Sequence, residues 1–239
     1  MRPPVPKDIR RYDTAPAGPS STAFRWIAQR LVLRPLVWSL TDVTVTGRAH
    51  LRTLTGPFVL VANHSSHLDT PLLLGSLPAR LGTTVGVGAA ADYFFDARWR
   101  AVLTGMVFNA FPVARNGAGR RGLAAALLEA GQPILVFPEA TRSRDGEMRS
   151  FTAGAAALCI RRGVPCLPVG LAGTYDAMPR GIRWPRRGRP SVRVSFGAPM
   201  LAGEDESAEA FAARMETEVV RLRAGAWSVP SRRAHRRAS

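Results

Sequence analysis

At 239 residues, 46% of them hydrophobic, the chain is long and apolar enough for one domain with a full core, which excludes a disordered polypeptide. Basic residues outnumber acidic ones 33 to 17, a formal charge of +16, and every basic residue except Lys7 is arginine. Such a field favours anionic partners, namely phospholipid surfaces, phosphorylated metabolites, acidic proteins or nucleic acid, without choosing among them.

The first 20 residues are Pro-rich, polar and basic, lack the apolar stretch of a signal peptide, and read as a disordered arm. TAFRWIAQRLVLRPLVWSL, residues 22–40, places Phe24, Ile27, Leu31 and Trp38 at helical spacing. Arg25, Arg30 and Arg34 give it cationic flanks, and Pro35 is expected to break or kink it. The segment 21–40 thus reads as amphipathic helix, packed on the domain, lying on a membrane surface, or both.

From residue 41 the chain alternates. Strands are expected at 42–47, 57–63, 83–88, 107–115, 133–138, 164–171 and 191–197. Helices are expected at His67–Leu77, Arg98–Gly105, Arg120–Ala130, Thr152–Arg162 and Glu206–Arg223. This order predicts an α/β fold over 41–225, a mixed central sheet flanked by helices. Residues 226–239 form a basic tail. Cys159 and Cys166 sit in apolar contexts and read as buried free thiols. No apolar run reaches the roughly 18 residues of a spanning helix, so none is expected.

Open α/β sheets carry their chemistry at the carboxyl ends of strands. Two segments have that form: VLVAN running into HSSHLD, and PILVFP running into EATRSRDG. His64 and Asp69, five residues apart across a strand-to-helix turn, suit a general base and the carboxylate that orients it. Two alternatives stand beside that pair. His64, His67 and Asp69 could ligate a metal, although a further firm ligand is hard to find among the remaining His50, His235 and the two cysteines. Asn63 or Ser65 could simply cap the helix. No GxSxG elbow occurs, so a base here would act directly on a substrate hydroxyl, as in one-step acyl transfer. Arg142, and Arg115 at the end of VFNAFPVAR, are candidate phosphate ligands, with Glu139 binding a substrate hydroxyl or positioning an arginine.

These blocks resemble the glycerolipid acyltransferases of the 1-acylglycerol-3-phosphate acyltransferase type. NHSSHLD fits that family's N-H-x-x-x-x-D motif, PVAR its arginine block, FPEATRSRDGEMRSFTAGAA its F-P-E-G-T-R-S block, and VPCLPVGLAG its valine-proline block, in the family's order. The resemblance implies a glycerol-3-phosphate acyltransferase-like fold and His64 and Asp69 as the catalytic pair. Arg115, Glu139, Ala140, Thr141 and Arg142 would meet the acceptor's phosphate. It implies acyl-CoA or acyl carrier protein as donor, a lysophospholipid as acceptor, no metal or cofactor, and peripheral work at the cytoplasmic face of the cell membrane.

Three departures bear on the acceptor. Ala140 replaces the family's glycine, and an alanine there is costly if the position needs positive φ. Val113 and Ala114 stand where isoleucine and aspartate are frequent, and Thr152 where lysine is common. Rival readings are a nucleic-acid-binding protein, a non-catalytic lipid-binding relative and a thioesterase. The arginine-rich segment RGIRWPRRGRPSVR suits lipid headgroups, CoA phosphates or an acidic carrier protein. With aromatic residues at 8% and no recognisable nucleic-acid motif, base stacking has little to work with, and no nucleic-acid partner is expected.

Overall fold

The computed structural model describes residues 19–52, 54–90, 106–113, 121–182 and 184–228. Seven short runs form one sheet: β1 (Asp42–Thr46), β2 (Val59–Ala62), β3 (Gly86–Ala90), β4 (Ala110–Val113), β5 (Ile134–Val136), β6 (Cys166–Ala172) and β7 (Ser191–Phe196). All seven fall within or overlap the strands read from sequence. Their order is β1-β7-β6-β2-β5-β3-β4. β2 to β6 run parallel to one another, while β7 is antiparallel to β6 and carries β1 parallel to itself. The sheet is therefore mixed, as expected.

Alternation along the strands explains why both faces need cover. On β2, Leu60 and Ala62 join one core with Leu72, Leu73 and Val194. Val59 and Val61 join the other with Ile134, Cys159, Phe211 and Met215. The first face is covered by the segment 19–40, α3 (Asp69–Ser76) and α4 (Ala79–Gly82); the second by α5 (Arg121–Glu129), α6 (Gly154–Arg162) and α8 (Ala208–Gly225). A short α7 (Thr174–Ala177) follows β6. Helix α8 starts two residues later than the periodicity suggests because Ser207 caps it, its Oγ accepting from the Ala210 N–H. The expected helix at Arg98–Gly105 lies outside the described residues.

Helix α8 meets β6 almost backbone to backbone. A Cβ on Gly170 would stand 2.4 Å from the Arg223 nitrogen and 2.6 Å from the Leu222 carbonyl carbon. No rotamer change relieves a clash with main chain, so Gly170→Ala should destabilise the fold by about 3 kcal/mol. A denaturant midpoint close to that of the wild type would contradict this packing.

Pro35 does not break the helix: α1 (Pro19–Ile27) continues through a π-helical stretch, Ala28–Leu33, into α2 (Arg34–Leu40) without a loop. The Arg34 N–H donates to the Gln29 carbonyl, five residues back, and this wider turn makes room for the proline ring. Its orientation is also reversed from an ordinary surface helix. Arg25 and Gln29 are buried, while Phe24, Ile27, Leu31 and Leu36 are at least 41% exposed. Of the apolar stripe read from sequence, only Trp38 packs on the core.

The reason lies in helix ends that lack donors for their last carbonyls. Arg30 donates to the Gly75 and Leu77 carbonyls and Arg34 to Gly75, at the C-terminus of α3. Arg25 donates to the Thr83 carbonyl just past α4 and to Met106, and Gln29 to Val107. Three guanidiniums thus cap carbonyls near the negative ends of helix dipoles. They turn inward, and the apolar side is left facing out.

Candidate active site

Because β2, β5 and β6 are parallel, the loops that leave them open on the same edge of the sheet. β2 delivers 63–69, β5 delivers 137–149 and β6 delivers 173–190 there. Asn63 holds the first loop against the third: its Nδ2 donates to the Leu171 carbonyl and its Oδ1 accepts from the Leu171 N–H, at 2.9 and 2.8 Å. Ser65 shares a hydrogen bond with Thr174, and Ser66 Oγ donates to the Met178 carbonyl. Neither Asn63 nor Ser65 caps a helix; α3 begins at Asp69 without a side-chain cap.

His64 and Asp69 meet as the spacing predicts, with Nδ1 2.8 Å from Oδ2. The same oxygen accepts from the backbone N–H groups of Ser65 and Ser66, both at 2.8 Å, so three donors fix the carboxylate. Asp69 is fully buried, while the His64 side chain keeps 19% of its surface exposed. One nitrogen is therefore held from behind, and the other side of the ring opens to the edge of the sheet.

The FPEATRS block wraps this histidine. Phe137 stacks on its imidazole, centroids 4.0 Å apart and planes within 15°. Glu139 Oε1 accepts from the His64 N–H at 2.7 Å, and the Ser143 N–H donates to the His64 carbonyl at 2.9 Å. The second oxygen of Glu139 accepts from the Arg149 N–H at 2.9 Å. Both oxygens of this buried carboxylate are thus directed to backbone amides, beside the substrate-hydroxyl and arginine-positioning roles read from sequence. Burial pushes its pKa up, against the two N–H donors that pull it down. Phe137 and Ser143 carry no sequence signal that marks them as site residues, although both stand inside the quoted block; only folding brings them onto His64.

Thr141 and Arg142 lie half-buried on the same loop. Arg142 reaches the His64 loop electrostatically. His67 is lowered to about 4 by desolvation of its ring, then by the Arg142 guanidinium and by His64. A neutral His67 adds no charge beside His64. Thr152, where the family often has lysine, turns its hydroxyl back onto the Pro138 carbonyl at 3.0 Å. Arg115 lies outside the described residues. Cys159 and Cys166 are buried and free as expected, and burial pushes Cys159 up to about 12 and Cys166 well above its ordinary value, which suits inert thiols.

Ala140 has φ of +60°, so the position does require the left-handed conformation that the family's glycine supplies. Ala140→Gly should therefore stabilise the loop by up to about 1 kcal/mol, after the greater flexibility of glycine in the unfolded chain is offset. Urea unfolding reads this directly; a lower midpoint in the glycine variant would mean that the methyl makes compensating contacts.

A cavity of about 200 Å³ lies beside Ser65. Asp145, Glu147 and Asp176 line it together with Arg223, whose Nη2 already donates to the Gly146 carbonyl. Three carboxylates make it a poor receptor for a phosphate, and neither His64 nor Arg142 borders it.

The Acyltransferase family model matches residues 42–172. The chain is 31% identical to a 1-acyl-sn-glycerol-3-phosphate acyltransferase of Chlamydomonas reinhardtii, over 86% of this chain and 63% of that protein. It is 29% identical to a lyso-ornithine lipid O-acyltransferase of Pseudomonas aeruginosa, over 64% of this chain and 54% of that one. It thus spans less than two thirds of either relative. Its fold is similar to the crystal structure of the 1-acyl-sn-glycerophosphate (LPA) acyltransferase PlsC from Thermotoga maritima, with a TM-score of 0.62, 26% identity and 94% of each chain covered. The matched span runs from the first residue of β1 to the last of β6, and so takes in loops 63–69 and 137–149, which hold His64, Asp69 and Glu139: the protein belongs to the Acyltransferase family.

Proposed function

We propose that the protein is a 1-acylglycerol-3-phosphate O-acyltransferase, moving a fatty acyl group from acyl-CoA or acyl carrier protein to the free hydroxyl of a lysophospholipid and giving phosphatidic acid. The observation that carries this reading is the 2.8 Å contact between His64 Nδ1 and a buried Asp69 oxygen at the open edge of the sheet. Asp69 fixes the tautomer, so Nε2 takes the hydroxyl proton as the oxygen attacks the thioester carbonyl. The tetrahedral intermediate expels the thiolate, which recovers the proton from the imidazolium. Atoms and charge balance without an acyl-enzyme, a metal or a cofactor.

Arg142 is the phosphate ligand in this scheme, with Thr141 and Ala140 beside it on the loop and Arg115 from the neighbouring block. Attachment to the membrane is peripheral, at the cytoplasmic face, through the outward apolar side of residues 19–40. Among the described residues no helix is long and apolar enough to cross a bilayer. Exposure of Ile27 at 49%, Leu31 at 60% and Val32 at 57% supports a face that rests in lipid.

One feature supports a second acceptor. Ala140 puts a methyl on the phosphate loop where the family has none, and a relative of similar identity is named for a lyso-ornithine lipid. The test is free-thiol release from palmitoyl-CoA with lysophosphatidic acid, with a lyso-ornithine lipid, and with no acceptor. Release that depends on lysophosphatidic acid, with phosphatidic acid as product, is the expected result. Release that depends on the ornithine lipid alone moves the acceptor to that class, and release without any acceptor would mean a thioesterase.

A further inference from the structure

The connection between α7 and β7 buries Met178 in the core, but none of its other described residues joins the core. Residues 177–203 contain six arginines and no carboxylate. Arg180, Arg186 and Arg187 are exposed. Between them stand Ile182 at 48% exposure and Trp184 at 65%, the most exposed large apolar side chain among the described residues. An indole among guanidiniums is poorly served by water and well served by a headgroup layer, where the ring finds apolar surface and the cations find phosphate.

Topology fixes where this connection sits. β6 ends and β7 begins at the edge that carries His64, since β6 is parallel to β2 and antiparallel to β7. β1 is parallel to β7 and starts there too, so α2, which ends at Leu40, delivers its C-terminus to the same edge. Hydrogen bonds join the parts. Arg189 Nη2 donates to the Trp38 carbonyl at 2.9 Å, the Arg186 N–H to the Ala177 carbonyl at 2.8 Å, and Ser66 of the catalytic loop to the Met178 carbonyl at 2.7 Å.

We propose that residues 179–182 and 184–190 are a second membrane contact, which takes the anionic headgroups of a phospholipid surface and, with the outer side of residues 19–40, turns the His64 edge toward the bilayer. This rests on the peripheral attachment read above. An acidic carrier protein would satisfy the arginines equally. The exposed Trp184 and Ile182, and the bond from Arg189 to the end of the apolar-faced helix, favour lipid. None of these residues lines the cavity beside Ser65.

The test is vesicle sedimentation of the full chain, with phosphatidylcholine alone and with phosphatidylglycerol added, at low and high salt. Wild type is expected to prefer the anionic vesicles, and the preference to fade as salt screens it. Arg180→Ser, Arg186→Ser and Arg187→Ser combined should weaken anionic binding on the order of 10²-fold while binding to neutral vesicles persists. Trp184→Ala should weaken both. Thermal unfolding midpoints equal to that of the wild type show that the variants fold. An anionic preference that survives the triple change overturns the proposal and assigns the charge effect to the basic termini. So does a triple variant that binds vesicles normally but no longer uses acyl carrier protein as donor. The helix is judged separately: Ile27→Asp with Leu31→Asp should abolish binding to neutral vesicles, and failure there sinks the helix attachment whatever the loop does. No readout of lipid binding depends on acyl transfer.

Discussion

Replacing His64 by alanine should lower kcat by at least about 10²-fold with little change in fold. The imidazole touches the rest of the protein through Asp69 and through its stack on Phe137, a contact worth about 1 kcal/mol. That loss is small beside the stability of a domain of this size. The chemical loss is large, because His64 is the imidazole that Asp69 holds at 2.8 Å. His67, three residues on, is kept neutral by desolvation, by Arg142 and by His64. Thiol release at saturating acceptor, measured alongside a melting curve, separates the two effects. A variant that retains acceptor-dependent release would show that the acceptor hydroxyl loses its proton elsewhere, and the proposed mechanism would fall.

Glu139→Gln is the second large effect, and its form matters more than its size. A carboxylate offers an acceptor to each of two N–H groups, those of His64 and Arg149. Glutamine keeps one acceptor and turns an NH₂ toward the other donor, so one amide loses its partner and the loop carrying the base shifts. Displacement of a catalytic group by about an ångström costs up to roughly 10²-fold in rate. The expected signature is a fall in kcat with the KM for the acceptor close to wild type. A raised KM with kcat preserved would instead return Glu139 to the substrate. Stability should respond to pH in a matching way. Burial raises the Glu139 pKa, so the folded state holds that proton more tightly than the unfolded state does. Its contribution to stability is present below the ordinary glutamate pKa and is lost as pH rises through the raised value. Glutamine has no such slope, so the variant gains on wild type as pH rises across that window. The ionised carboxylate that braces His64 is thus kept at some expense to stability, a common trade at functional sites.

Much of this architecture is local and therefore readable from residues alone. Strand runs such as VLVA and SVRVSF are short, apolar and β-branched, and their positions follow from composition and period. The His64–Asp69 pair is legible for the same reason: one turn of chain separates the two, and that turn alone brings Nδ1 to Oδ2. The glycine of related blocks raises the question of positive φ at Ala140, and the backbone there has it.

Two things depended on partners far away in sequence. Periodicity locates an apolar stripe in residues 22–40 but does not say which side meets the domain. The carbonyls near the ends of α3 and α4 decide it, because they need donors and find them in Arg25, Arg30 and Arg34, 41 to 58 residues away. The role of Glu139 depends on the His64 amide 75 residues earlier, reached only when β2 and β5 lie side by side. Sequence by itself determined the strands, the alternation and the His64–Asp69 pair, since each is a matter of near neighbours. Tertiary structure alone decided which side of residues 19–40 faces outward and what braces His64, since both follow from buried backbone groups that must be satisfied by whatever the fold brings within reach.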